Sequence, residues 1–124
     1  MRSRLAGVII VALLVATLFY YRAEATQARA VVIALAEELA SSSRLLDRDA
    51  FRALAARVRD RTGQKGKSLF HPIRLALTGE PEGIELDVAV PAIEHGAALE
   101  QSGSGFVEIL SARERAEEFM RVLA

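Results

Sequence analysis

Between Gly63 and Leu86 the chain is cut into short pieces by residues that start and stop helices. Lys65 to Leu86 reads KGKSLFHPIRLALTGEPEGIEL: a basic entry, two prolines at candidate helix starts and two glycines at candidate helix ends within 22 residues. Pro72 suits the first position of a short helix, because its missing N–H would have no intrahelical partner there. Ile73, Ala76 and Leu77 would then face inward, and Gly79 would end the helix. Arg74 stands among these apolar residues, so its guanidinium must reach a carboxylate, a carbonyl group or a ligand. Glu82 and Glu85 are the carboxylates in reach along the chain.

The same punctuation divides the rest into helices. Arg29 to Ala40 (RAVVIALAEELA) carries Val32, Leu35, Ala36 and Leu39 at helical spacing, and Ser41 to Ser43 ends it. Glu37 and Glu38, as neighbours on a helix, point about 100° apart and read as a solvated face rather than a catalytic pair. Asp47 is an N-cap for a helix over Arg48 to Arg61, with Phe51, Leu54, Ala55 and Val58 buried and Arg48, Arg52 and Arg59 exposed. Gly63 supplies its left-handed end, and Gln64 to Ser68 reads as a basic loop. Glu80 to Gly83 is a turn. A helix opens at Glu85 to Val90, is kinked or restarted by Pro91 and closes at His95-Gly96. Gln101 to Gly105 is a loop. Ser111 and Glu114 form a capping box for a last helix with Phe119, Val122 and Leu123 as its apolar stripe. The expected fold is all-α, a small helical bundle of one domain's size.

The 124 residues include no Cys and two His, which excludes thiolate metal sites and disulfides and argues against a His-based centre; no cofactor or metal is expected. No phosphate-gripping glycine loop and no G-x-S-x-G occurs. Net charge is zero, yet residues 44–74 hold nine Lys or Arg against three Asp, and residues 75–124 hold three Arg against ten Asp or Glu. A basic half beside an acidic half fits a module that meets a polyanion with one face, or two faces that complement each other.

Leu5 to Tyr21 (LAGVIIVALLVATLFYY) is a run of 17 uncharged residues, with Arg2 and Arg4 before it and Arg22 after it. As a helix it would span about 25 Å, slightly short of a hydrocarbon core of about 30 Å. Three readings compete: a membrane anchor, a signal peptide cleaved after Ala23-Glu24-Ala25, and a buried helix. On this window alone the anchor leads.

The motif Lys65-Gly66-Lys67, then Leu69-Phe70-His71-Pro72-Ile73-Arg74-Leu75-Ala76-Leu77-Thr78-Gly79, then Gly83-Ile84-Glu85-Leu86, resembles the C-terminal anticodon-binding region of bacterial glutamyl-tRNA synthetases. Ala112 to Ala116 is similar to that family's last helix, so the resemblance covers about residues 29–124. It implies an all-helical anticodon-binding domain over 29–124 behind an apolar N-terminal helix over 1–28. It implies tRNA, of the glutamate type, as partner, with Arg74, Gly83, Ile84 and Leu86 approaching the anticodon bases. Ile84 stands where the family usually has Pro, which loosens the turn. Lys65, Lys67, Arg48, Arg52 and Arg59 would favour the phosphates.

The H-I-G-H-like and K-M-S-K-S-like signatures of the family's catalytic half do not occur, so this chain alone is expected not to charge tRNA. It reads as a fragment or stand-alone relative of a glutamate–tRNA ligase, with a synthetase catalytic domain as a further partner. Arg2 and Arg4 would hold the N-terminus in the cytosol, and one membrane pass would then place the module outside, away from tRNA. The resemblance therefore favours a cytoplasmic protein in which residues 5–21 form a helix whose partner surface lies on the rest of a synthetase. The alternative is a membrane-anchored or exported helical protein that has lost RNA binding.

Overall fold

A computed structural model describes residues 2–100 and 109–123, with the backbone alone described for residues 2–9, 19–21 and 100. Five helices follow in order: α1 (Arg2–Ser41), α2 (Arg48–Thr62), α3 (Lys67–Thr78), α4 (Leu86–Glu100) and α5 (Ala112–Leu123). No strand occurs among the described residues, as the all-α expectation requires. The Gln101 to Gly105 loop lies outside the described residues.

The second half of α1 is the axis of the bundle, and α2, α3 and α5 all pack against it. Helical spacing predicted one stripe there, Val32, Leu35, Ala36 and Leu39. The buried set also contains Val31 and Ala34. At about 100° per residue these six positions sweep more than half the helix circumference, because three helices cover it rather than one. Phe51, Leu54, Ala55 and Val58 of α2, and Leu69, Ile73, Ala76 and Leu77 of α3, complete the core with Leu86 and Val90 of α4. Each large side chain so buried stabilises the fold by roughly 1.5–3 kcal/mol.

The first half of α1 leaves this core. Helix α1 passes residue 28 without a break, and Ile10, Val11, Leu13, Leu14, Val15 and Leu18 are all exposed. Like the buried set, they sweep about 200° of the helix circumference, here with nothing packed against them among the described residues. Among the described residues, no helix is long and apolar enough to cross a membrane.

Local signals set most helix ends as read. The Asp47 carboxylate accepts from the Ala50 N–H at 2.7 Å. Gly63 and Gly79 close α2 and α3 with φ of 71° and 72°, their N–H groups donating to Arg59 and Leu75 carbonyls. Ser111 and Glu114 form the capping box: the Ser111 hydroxyl meets Glu114 Oε1 at 2.9 Å, and the Glu114 N–H donates to the Ser111 hydroxyl at 3.2 Å.

Three expectations need correction. Pro72 is not at the start of α3. The helix opens at Lys67, so Gln64 to Ser68 is not wholly a loop. Gly66 O accepts from both Leu69 and Phe70 N–H groups, so a turn forms before the proline, whose ring is buried with Leu69 and Ile73. Burial of that ring offsets the lost Ser68 hydrogen bond. Likewise α4 runs through Pro91 and past His95-Gly96 to Glu100. Gly96 is a point of close packing rather than a stop: a Cβ there would lie 3.1 Å from the Ile109 side chain. On α5 the buried residues are Ala112 and Ala116, with Phe119 packed against the core, whereas Val122 is 76% exposed and Leu123 is exposed. The small side chains let α5 lie close to α1, and the helix has turned Val122 outward by its last turn.

One buried charge ties these parts together. Glu94 of α4 is 3% exposed. Its Oε2 accepts from the Leu45 N–H at 3.0 Å and its Oε1 from the Ala112 N–H at 2.7 Å. Ala112 is the first residue of α5, so the carboxylate satisfies a helix-start donor and faces the positive end of the helix dipole. Glu94→Ala would leave two buried N–H groups without an acceptor. We expect it to lower stability by about 2–5 kcal/mol in a urea titration, against about 1 kcal/mol for loss of the α2 cap in Asp47→Ala. Equal losses would show that Glu94 is not a central tie.

Candidate nucleic-acid interface

The nine cations of residues 44–74 do not share one fate. Arg57 and Arg61 are taken up by α1: Arg57 Nε meets Glu38 Oε2 at 2.9 Å, and Arg61 pairs with both Glu37 and Glu38. The Glu37 hydrogen bond is the main cause that raises the Arg61 guanidinium above its ordinary value. Part of the charge asymmetry is therefore internal complementarity between α1 and α2. Arg44 donates to the Glu94 carbonyl at 3.4 Å. Arg48, Arg52, Arg59, Lys65 and Lys67 remain on the surface.

Arg74 is half-buried on α3, and its partner is a carbonyl. Nη1 donates to Ile84 O at 2.9 Å. Of the partners open to it, the carbonyl is the one taken and a pairing with Glu82 or Glu85 is not made: no described ion pair includes Arg74, and both carboxylates are exposed. The turn itself explains why. Gly83 has a φ of 155°, a conformation that L side chains rarely adopt, and a Cβ there would sit 3.4 Å from Arg74 Nη1. The guanidinium lies against the turn and reaches the Ile84 carbonyl. Ile84 is left 64% exposed, whereas Leu86 is 5% exposed and belongs to the core. Arg74, Gly83 and Ile84 thus form one corner, with the Leu86 side chain beneath it.

Three of the basic residues meet elsewhere. Phe51, Arg52, Ala55, Ala56 and Arg59 of α2 face Lys65, Gly66, Leu69 and Phe70 across a cleft of about 210 Å³. Arg52 also reaches Asp87 Oδ2 at 2.8 Å, and Asp87 directly follows Leu86, so cleft and corner adjoin. Lys67 lies apart, in a wider groove where Ser68, His71 and Pro72 face Glu24, Ala25 and Ala28 of α1. Arg48 starts α2 and lines neither.

Phe70 belongs to the motif and is not among the expected site residues. It is 42% exposed, while Phe51 is 2% exposed and Phe119 packs against the core. A signal was present. Leu69, Ile73, Ala76 and Leu77 define the inward stripe of α3, and Phe70 and Arg74, four residues apart, fall together outside it.

An all-helical bundle with a basic surface and a glycine turn clamped by an arginine is the setting in which the comparisons with known proteins fall. A model of the family described as "Anticodon binding domain" matches residues 16–99, and the chain belongs to that family. It is 51% identical over 47 residues to glutamate–tRNA ligase 2 of Beijerinckia indica, covering 38% of this chain and 10% of that protein. It is 52% identical over 44 residues to glutamate–tRNA ligase 2 of Gluconacetobacter diazotrophicus, covering 36% and 10%. It is 46% identical over 48 residues to glutamate–tRNA ligase of a Sulfurihydrogenibium species, covering 39% and 10%. The chain thus spans about a tenth of the length of the curated relatives it matches. No solved structure matches.

The corner makes a stability prediction independent of any ligand. Arg74→Met keeps most of the apolar stem but removes the donor to Ile84 O. Thermal unfolding should show a loss of about 1.5–3 kcal/mol, as for a hydrogen bond from a charged group, against less than about 0.5 kcal/mol for the exposed Arg48→Ala. An Arg74→Met protein as stable as Arg48→Ala would mean that the clamp holds nothing.

Proposed function

We propose that this chain is a tRNA-binding module that recognises the anticodon region of glutamate-type tRNA, without catalysis of its own, and that it works in the cytoplasm. The observation that carries the reading is the corner where Arg74 clamps the Gly83-Ile84 turn. A guanidinium and an exposed turn on one side of a helical domain are the kind of groups that contact splayed bases in a single-stranded loop. Arg48, Arg59, Lys65 and Lys67 supply charge for the phosphates around it. Membership of the anticodon binding domain family and the names of the matched relatives support tRNA and its glutamate type. The exposed apolar stretch of α1, from Ile10 to Leu18, is the surface that a synthetase catalytic domain would cover.

Titration of the full chain with a glutamate tRNA transcript at several salt concentrations tests this. Binding should weaken steeply with salt, and Lys65→Ala and Lys67→Ala should each reduce the slope of log K against log salt by about 0.7. Arg74→Ala should weaken binding more than Arg113→Ala, whose side chain is paired with Glu117 on α5 at 3.1 Å. Binding no tighter than that of an acidic control protein overturns the function. Equal effects of the two arginine substitutions overturn the site.

A further inference from the structure

We propose that the α2/α3 cleft is a separate subsite that takes one unpaired RNA base, stacked on Phe70, with the adjoining phosphate held by Arg59 and Lys65. The proposal rests on the reading of the chain as a tRNA-binding module and adds to it a place and a mode of contact.

Three observations favour this occupant. The first is the exposed ring. Helix α3 buries Leu69, Ile73 and Leu77 and half-buries Leu75, yet Phe70 stays 42% exposed at the edge of a cleft lined by Phe51, Ala55 and Leu69. An aromatic face beside an apolar floor is a platform for a flat ring, and base stacking on such a face tolerates any of the four bases. The second is size. A cavity of about 210 Å³ is below the usual range of about 300–1,000 Å³ for larger organic ligands, and it has no room for a peptide helix.

The third is charge. The rim carries Arg52, Arg59 and Lys65, and their standing differs. Arg52 lines the cleft but is held by Asp87. Among the described ion pairs Arg59 meets Asp60 alone, in a pair exposed on both sides, which water and salt weaken. Lys65 has no described ion pair. Two cations are thus available on the lip of an apolar slot, the arrangement that suits a nucleotide with its base inside and its phosphate outside. Phe70 and Arg74 lie one helical turn apart on the same side of α3, so a strand running along α3 would pass from this subsite to the corner.

The chain contains no Trp, which makes the test direct. Phe70→Trp places a sole indole at the platform, and its emission reports stacking. On titration of the full-length Phe70→Trp protein with glutamate tRNA, indole emission should be quenched saturably at the concentrations at which a filter assay shows binding. Phe70→Trp should bind as tightly as the parent chain or more so. Phe70→Ala and Phe70→Leu should bind roughly 5- to 100-fold more weakly with the salt slope unchanged, the range set by loss of one stacked base. Lys65→Ala should instead reduce the slope. Because Phe70→Leu keeps an apolar side chain and Phe70→Trp an aromatic one, a folding defect in Phe70→Ala would not hide the result. Binding of tRNA without quenching, or unchanged affinity in Phe70→Leu, overturns the subsite and leaves the tRNA-binding reading standing. Failure of the parent chain to bind tRNA overturns both.

Discussion

Two oxygens of a buried carboxylate face two backbone N–H groups from distant parts of the chain in this fold. Glu94, in the middle of α4, takes Leu45 from the α1–α2 connection and Ala112 from the start of α5. A bare charge at 3% exposure would be costly, and here it is matched by donors that themselves had no helical partner. The consequence reaches beyond the three segments it joins. Helix α4 is held by its middle, so its first turn, with Leu86 in the core and Asp87 on Arg52, is set against α2. The Gly83-Ile84 turn leads directly into that first turn, and Arg74 fastens it to α3. The corner is therefore tied, through α4, to a contact about two helical turns further along that helix.

A second tie works in the same manner at the other side. Arg115 of α5 donates to the Leu77 carbonyl at 3.1 Å and to the Leu110 carbonyl at 2.8 Å. Leu77 lies in the last turn of α3, where carbonyls have no helical donor. Arg29 of α1 reaches the Leu123 carbonyl at 3.0 Å. In each case a long side chain from one helix supplies what the end of another lacks. Helices of 12 to 15 residues are marginal alone, and such ties with the shared core around α1 make them stable together.

The surface that remains shows how charge was divided. Part of the basic half is consumed in holding α2 to α1 through Glu37 and Glu38, so a count of charges along the chain overstates what a polyanion would meet. Of what is left, Arg52, Arg59 and Lys65 are grouped beside the exposed Phe70 ring, while Lys67 lies in a separate groove and Arg48 lines neither. Within the motif, burial separates the exposed Ile84 from Leu86, which packs inside.

Much of this was readable from the residues in order. The Asp47 cap, the Gly63 and Gly79 stops, the Ser111–Glu114 box and the buried stripe of α2 all follow from interactions within four residues, which linear spacing encodes. The all-helical class follows from the same signals. The errors share a different cause. Pro72, Pro91 and Gly96 act as helix breakers in isolation, and here they sit inside helices because burial and close packing outweigh their local cost. The partner of Arg74, the two-sided role of Glu94 and the exposure of Phe70 depend on which segments become neighbours across tens of residues. Local chemistry wrote the helices and their ends. Their mutual packing, driven by burial around α1 and by polar groups that had to find partners, decided which side chains were left to meet something else.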